Sequence, residues 1–136
     1  MNKLSGKIIQ VESNKGIALV DVQVHDDVLS AIVLDMPESG SVFAQGSPVI
    51  LLFKETEVSI GKNLSGLISL RNRIPARIKN IERSPILSKV ILDYQENEIV
   101  SIITTRSVDR LDLKAGEQVE WLVKANEMTL LYESSG

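Results

Sequence analysis

The sequence contains an internal repeat that aligns without a gap when the chain is shifted by 70 residues, so that Asn2 meets Asn72. Identical residues coincide along the whole overlap: Ile8 with Ile78, Glu12 with Glu82, Val20 with Val90, Ile32 with Ile102, Gly46 with Gly116, Val49 with Val119, Leu52 with Leu122, Lys54 with Lys124 and Glu57 with Glu127. An ungapped register requires turns of equal length, which is typical of one supersecondary unit present twice. We therefore divide the chain into repeat one, residues 1–62, and repeat two, residues 63–136.

Short runs of apolar and β-branched residues predict strands in both repeats. The predicted strands cover residues 18–24, 29–34 and 48–53 in repeat one, and 76–81, 87–94, 99–104 and 118–124 in repeat two. One short helix is predicted per repeat, with Ser107 as N-cap in repeat two and Pro37-Glu38 at the start in repeat one. This plan predicts a mainly β fold of two tandem OB-like small β-barrels, each with one short helix.

Each repeat is small enough to have a thin core, so it needs its twin or another subunit to bury sufficient apolar surface.

Composition excludes several classes of function. A net charge of −3, with two Phe, two Tyr and one Trp, argues against a nucleic-acid binder. The N-terminus lacks the apolar stretch of a signal peptide, and no segment approaches a membrane span. The expectation is a cytoplasmic protein without membrane insertion.

Residues suited to catalysis are scarce. The chain has no cysteine and a single histidine, His25, which lies in an acidic turn and is interpreted as a solvated residue. The acidic pairs Glu55/Glu57 and Asp26/Asp27 lack EF-hand spacing, and no P-loop is present. The sequence therefore predicts a protein that is not an enzyme, with no cofactor and no cation site.

Repeat two carries a set of hydrogen-bond donors suited to a tetrahedral dianion. The set falls in three segments, which are Ser69-Leu70-Arg71-Asn72, Thr104-Thr105-Arg106-Ser107 and Lys124-Ala125-Asn126. A dianion that loses its water must receive many N–H and O–H groups, and arginine and lysine add complementary forms of positive charge. Ser107 at a helix N-terminus would add backbone N–H groups. Taken singly, each residue also fits an ordinary role as an exposed lysine, a turn serine or a helix cap.

The motifs Ser69-x-Arg71-Asn72, Ile102-Ile103-Thr104-Thr105-Arg106-Ser107 and Leu122-Val123-Lys124-Ala125 resemble the Mop domain, the molybdate-binding unit of molbindins in the TOBE group. The resemblance covers repeat two well, from about Ser69 to Leu131. Repeat one resembles the family through Asn2, Gly46, Lys54 and its strand pattern. The whole chain thus resembles a di-Mop molbindin.

The resemblance implies a binder of molybdate or tungstate, for storage, buffering or sensing, with sites at subunit interfaces. The implied residues are Ser69, Arg71, Asn72, Lys124 and the backbone of Ala125 from one chain, and Thr104 and Ser107 from another. Asn72 either touches the ligand or orders the opening turn. Because the implied site is shared between chains, the resemblance also implies a homo-oligomer, with a trimer as the favoured form.

Repeat one departs from this pattern. Its substitutions are Met1 at the position of Arg71, Leu34 at that of Thr104, and Pro37 at that of Ser107. Of the charged donors only Lys54 is kept, and it is followed by Glu55, whose carboxylate repels anions. We predict no complete site of the same type in repeat one; a second site built from backbone groups is the alternative.

Two other functions are compatible with the sequence. Residues 52–58 resemble the closing strand of importer-ATPase tails, which suggests a regulatory module acting in trans on a molybdate or tungstate transporter ATPase or a transcription regulator. The other is an OB-like nucleic-acid binder, which the acidic balance and the few aromatic residues disfavour.

Overall fold

The computed structural model describes residues 1–34 and 44–132, and strands make up most of both ranges. Repeat one contains β1 (Asn2–Asn14), β2 (Ile17–Val24), β3 (Asp27–Val33), β4 (Pro48–Phe53), a 3-10 turn (Glu55–Glu57) and β5 (Ser59–Gly61). Repeat two contains β6 (Asn72–Arg83), β7 (Leu87–Tyr94), β8 (Asn97–Thr104), α1 (Thr105–Arg110), β9 (Gln118–Val123), a second 3-10 turn (Ala125–Glu127) and β10 (Thr129–Tyr132). The predicted mainly β fold is confirmed.

The helix of repeat two is present, but its predicted N-cap was wrong. Thr104 is the N-cap, because it keeps extended backbone angles and its side-chain oxygen accepts a hydrogen bond from the Ser107 backbone N–H. Ser107 instead lies inside the first turn of α1. The helix predicted at Pro37-Glu38 lies outside the described residues. None of the helices in the described ranges has the length and apolar character needed to cross a membrane.

The strands of the described residues form two five-stranded antiparallel sheets, and each sheet takes one edge strand from the other repeat. The strand orders are β10-β4-β1-β2-β3 and β5-β9-β6-β7-β8. Ile60 of β5 pairs with Trp121 of β9, and Leu130 of β10 pairs with Leu51 of β4 at the equivalent register. The two repeats therefore exchange one strand each. The boundary between residues 62 and 63 remains a prediction from the sequence repeat.

The core is continuous between the two repeats. Alternate residues of β2 point inwards, and the four apolar ones are almost fully buried: Ala18, Val20, Val22 and Val24. Trp121 of repeat two is fully buried and stacks on Phe53 of repeat one, with ring centroids 5.4 Å apart and an interplanar angle of 7°. Tyr94 meets the same indole edge-on at 5.6 Å.

Two buried asparagines join the repeats at equivalent positions. The Asn72 amide donates to the Ser30 carbonyl (2.9 Å) and accepts from the Ser30 N–H (2.7 Å). The Asn2 amide makes the same pair of contacts with the backbone of Val100, both at 2.8 Å. Since Asn2 and Ser30 correspond to Asn72 and Val100 after the 70-residue shift, the repeats face each other about a pseudo-two-fold axis.

Candidate functional site

Four predicted site residues flank, along the chain, the point where β6 begins and β9 ends, and we call them the cationic cluster: Ser69, Arg71, Lys124 and Ala125. Asn72 at the start of β6 pairs with Val123 at the end of β9. Arg71 precedes Asn72 and Lys124 follows Val123, so both basic residues lie at the same end of the paired strands. The pairing of β6 with β9 thus brings together residues that are far apart in sequence.

The donors of the cationic cluster are largely free to meet a ligand. Ser69 and Lys124 are exposed, and neither side chain has a hydrogen-bond or ion-pair partner within residues 1–34 and 44–132. The Arg71 side chain is 59% exposed, and its guanidinium has N–H groups beyond the one that bonds Ser30. Ala125 begins the second 3-10 turn. A hydroxyl, a guanidinium and an ammonium are therefore each exposed to solvent in the segments that flank the start of β6 and the end of β9.

The remaining two donors, Thr104 and Ser107, form a separate hydroxyl pair at the start of α1. The Ser107 backbone N–H donates to Thr104 Oγ1 (3.1 Å), and the Thr104 hydroxyl donates to Ser107 Oγ (2.9 Å). Because Ser107 Oγ accepts in this contact, its own proton can be donated to another acceptor. Capping of α1 by Thr104 therefore fixes the Ser107 hydroxyl as an outward donor.

Within one repeat, the cationic cluster and the hydroxyl pair lie at opposite ends of the sheet. Thr104 pairs with Leu87 at the start of β7, and the next residue of β7, Ser88, pairs with Arg83 at the far end of β6. β6 has 12 residues, and at roughly 3.3 Å per residue its path is roughly 40 Å long. One repeat therefore does not bring the two groups together.

The other repeat of the same chain does not complete the set. The second 3-10 turn packs on β3, and the residue after that strand is Leu34, the counterpart of Thr104, which is 64% exposed. The first 3-10 turn, which begins at Glu55, packs on β8, the strand that ends at Thr104. Repeat one carries Leu34 and Glu55 in place of Thr104 and Ala125, so the described part of a single chain contains no complete set.

Asn72 differs from the other predicted site residues because it is fully buried. Both polar atoms of its amide are used by the backbone of Ser30. The structure therefore places Asn72 beneath the cationic cluster, where it fixes the start of β6 against repeat one.

Two contacts of Arg71 were missed by sequence reasoning. Its Nε donates to Ser30 Oγ at 3.1 Å, and its Nη2 lies 4.0 Å from Asp21 Oδ1. Both partners belong to repeat one and are polar residues within apolar strands. Their counterparts in repeat two are Ile91 and Val100, so a comparison of the two repeats contained the signal.

The equivalent region of repeat one contains a carboxylate, which is paired with an ammonium group. The amino group of Met1 lies 2.6 Å from Glu55 Oε2, in a contact where the two side chains are 50% and 33% exposed. The hydrogen bond from this ammonium group is the main cause that lowers the pKa of Glu55 below its ordinary value. Glu55 is the counterpart of Ala125, so a carboxylate stands where repeat two has a methyl group. No cluster of three or more His, Cys, Asp or Glu able to hold a metal ion occurs in the described ranges.

Comparison with known proteins gives consistent matches. Residues 68–130 match the TOBE domain family model. The molybdenum import ATP-binding protein ModC of Brucella suis biovar 1 (strain 1330) is 32% identical over 126 residues, which cover 87% of this chain and 35% of ModC. The molybdenum-pterin-binding protein MopB of Rhodobacter capsulatus is 29% identical over 104 residues, covering 75% of this chain and 38% of MopB. The chain therefore spans about a third of the length of these two relatives.

A solved structure extends the likeness to the whole fold. The cytoplasmic molybdate-binding protein ModG, in a crystal form with molybdate bound, matches with a TM-score of 0.90 at 27% sequence identity. The match covers 97% of this chain and 96% of the ModG chain. Both repeats and the exchanged strands therefore have counterparts in one solved protein.

Proposed function

Because the chain belongs to the molbindin family, as a tandem of two Mop domains in the TOBE group, we propose that it binds molybdate or tungstate. The observation that carries this proposal is the cationic cluster, in which Ser69, Arg71 and Lys124 have free donors near the start of β6 and the end of β9. We place this activity in the cytoplasm, in storage, buffering or sensing of the oxyanion.

Binding requires no chemistry on the ligand. Arg71 and Lys124 offset the two negative charges, and the Ser69 hydroxyl and the Ala125 backbone replace water around the oxygens. Sulfate has the same charge and shape but shorter bonds. Discrimination against sulfate therefore depends on the size of the cavity that the donors enclose.

A complete site requires a second copy of the chain. The cationic cluster of one protomer and the hydroxyl pair of another together supply the full set, because the described residues of one chain do not bring the two groups together. We propose a homo-oligomer, with a trimer favoured by the family resemblance. Sharing a site between protomers couples oxyanion binding to assembly by mass action.

Calorimetric titration with molybdate, tungstate and sulfate tests the proposal. We expect tight binding of the first two, no heat with sulfate, and a loss of binding of roughly 100-fold in Arg71→Ala, because a charge-assisted contact in a desolvated site is lost. Arg77→Ala is the matched control, since it removes the same charge from an exposed residue in the middle of β6, away from both groups of donors. Absence of heat with molybdate and tungstate would contradict the proposal.

The titration also tests the asymmetry between the repeats. If repeat one has no complete site of this type, Arg71→Ala weakens every binding event by this factor. A class of sites that keeps wild-type affinity in Arg71→Ala would instead indicate a second, differently built site. The alternative function, a regulatory module acting in trans on an importer ATPase or a transcription regulator, is not favoured.

A further inference from the structure

Arg71, the central cation of the proposed site, is held by repeat one. Its Nε donates to Ser30 Oγ at 3.1 Å, and the Ser30 hydroxyl donates in turn to Asp21 Oδ1 at 2.6 Å. Asp21 and Ser30 are directly opposed on β2 and β3. The guanidinium is thus connected through one hydroxyl to one carboxylate.

The bridging residue is itself rigidly placed. Ser30 is 1% exposed, and the Asn72 amide holds its backbone N–H and carbonyl at 2.7 and 2.9 Å. Asn72 is the residue next to Arg71, so the Ser30 hydroxyl has a fixed position relative to the base of the arginine side chain. An exposed arginine has several rotatable bonds, and fixing Nε removes much of the entropy that binding would otherwise cost.

The contact leaves the outer part of the guanidinium available. Arginine has five N–H donors in a planar fork, and Ser30 uses the one on Nε. Asp21 lies 4.0 Å from Nη2, beyond hydrogen-bond distance, and its side chain is 15% exposed. Asp21 therefore orients the Ser30 hydroxyl without occupying the donors that would face an oxyanion.

The two repeats divide these residues between them. Repeat two has Arg71 but carries Ile91 and Val100 at the positions of Asp21 and Ser30. Repeat one has Asp21 and Ser30 but carries Met1 at the position of Arg71. Asp21 and Ser30 therefore occur in repeat one, which has no arginine at this position, and they lie against Arg71 of repeat two.

We propose that Ser30 and Asp21 of repeat one are positioning residues that hold Arg71 of repeat two in the orientation required for the oxyanion, which rests on the proposed binding function. Repeat one lacks most of the proposed ligand-binding side chains. It contributes to the site because it orients Arg71 of repeat two in the same chain.

The binding test compares two buried serines. Ser30→Ala removes the bridge, and we expect molybdate affinity to fall roughly ten-fold, as loss of one hydrogen bond to a charged group predicts. Ser101→Ala is the matched control, since Ser101 is also fully buried and its hydroxyl donates to the Val58 carbonyl, away from Arg71. We expect its affinity to stay within about two-fold of wild type. Wild-type affinity in Ser30→Ala, or equal weakening in both variants, would overturn the proposal.

A spectroscopic test needs no ligand and separates the two proposals. The Arg71 Nε–H signal of the full chain, assigned by its loss in Arg71→Lys, should show an order parameter near that of rigid backbone, about 0.85. In Ser30→Ala and in Asp21→Ala it should fall below about 0.6, while Ser101→Ala leaves it unchanged. A mobile Arg71 in wild type, or a rigid one in both Ser30→Ala and Asp21→Ala, would overturn the positioning role. Failure of wild type to bind molybdate would instead overturn the proposed function.

Discussion

At the scale of single residues, Asn2 and Asn72 keep one role in both repeats while their neighbours diverge. Each is buried and bonds the N–H and carbonyl of one residue in the other repeat. Val100 in one contact and Ser30 in the other differ in side chain, but the amide recognises only the backbone. The asparagines therefore fix the pairing of the repeats independently of the ligand-binding residues.

Replacing Asn72 should reduce stability more than an exposed substitution. Asn72→Ala leaves the Ser30 N–H and carbonyl buried without a partner, and we expect the free energy of unfolding to fall by about 2–3 kcal/mol. Denaturant unfolding measures the change, with Asn2→Ala expected to match it and the exposed Asn126→Ala as control. A cost in Asn72→Ala no larger than in Asn126→Ala would contradict the role assigned to the amide.

Tyr94 makes stability depend on alkaline pH. Burial is the main cause that raises the pKa of its phenol above the ordinary 10.0, and the hydrogen bond to Asp27 adds to it. The unfolded chain ionises first, so the stabilisation is present below about pH 10 and is lost as the pH rises above it. We expect Tyr94→Phe to lose less stability than wild type between about pH 9 and 11 in urea unfolding. Parallel losses in the two proteins would exclude this cause.

At the scale of secondary-structure elements, the segment between the repeats secures the end of α1. The Lys62 ammonium donates to the carbonyls of Leu111 and Asp112, each at 2.9 Å, and forms an ion pair with Glu117 at 2.9 Å. A lysine at a helix C-terminus satisfies carbonyls that have no partner within the helix. The connection between the repeats therefore holds the helix that carries Ser107.

Removing this contact should loosen α1. In Lys62→Met the two carbonyls lose their charged donor, and we expect the free energy of unfolding to fall by about 1–2 kcal/mol. Hydrogen exchange of the α1 amides should rise as well. Lys79→Met is the control, because the Lys79–Glu98 pair is about half exposed and contributes little. Equal effects of the two substitutions would show that the carbonyl contacts of Lys62 do not stabilise the helix.

The elements that were predicted correctly are those with long apolar alternation. β4 and β7 match the predicted ranges, and β2 differs by one residue at its start. β1 was not indicated, and a bulge between Ile8 and Gln10 shifts its alternation. β6 was predicted only over residues 76–81, which span the equivalent bulge between Ile78 and Asn80. β5 and β10 have three and four residues, too few for a period to be visible.

The candidate site shows the same limit. Motif resemblance indicated the cationic cluster and the hydroxyl pair, because short local patterns carry them. The contact of Arg71 with Ser30 was missed. The difference between the repeats at Asp21 and Ser30 marked these residues, but their partner depends on how the two repeats face each other. Local patterns thus predict which residues could bind, while the pairing of the repeats decides how they are oriented.

At the scale of the whole molecule, the exchanged strands make the two sheets interdependent. The first sheet is completed by β10 and the second by β5. Trp121 and Phe53 stack across the same boundary at 5.4 Å. Loss of either repeat would remove an edge strand and uncover an aromatic core residue of the other.

Splitting the chain tests this dependence. We expect fragments 1–62 and 63–136 to be unfolded as separate monomers, and to recover β structure when mixed, because each supplies the strand the other lacks. Circular dichroism measures the recovered structure, and size-exclusion chromatography shows a complex of the two fragments. A folded monomer of either fragment alone would contradict this expectation.

The exchange of β5 and β10 also has a consequence for how such a chain evolves. After a duplication, a redundant copy is usually free to be deleted, but here deletion would remove a strand from the sheet of the surviving copy. Selection for folding therefore retains both copies even when one no longer binds a ligand. Side chains such as Leu34 and Glu55 can therefore differ from their counterparts Thr104 and Ala125, whereas both sheets require the equivalent strand registers of the two halves.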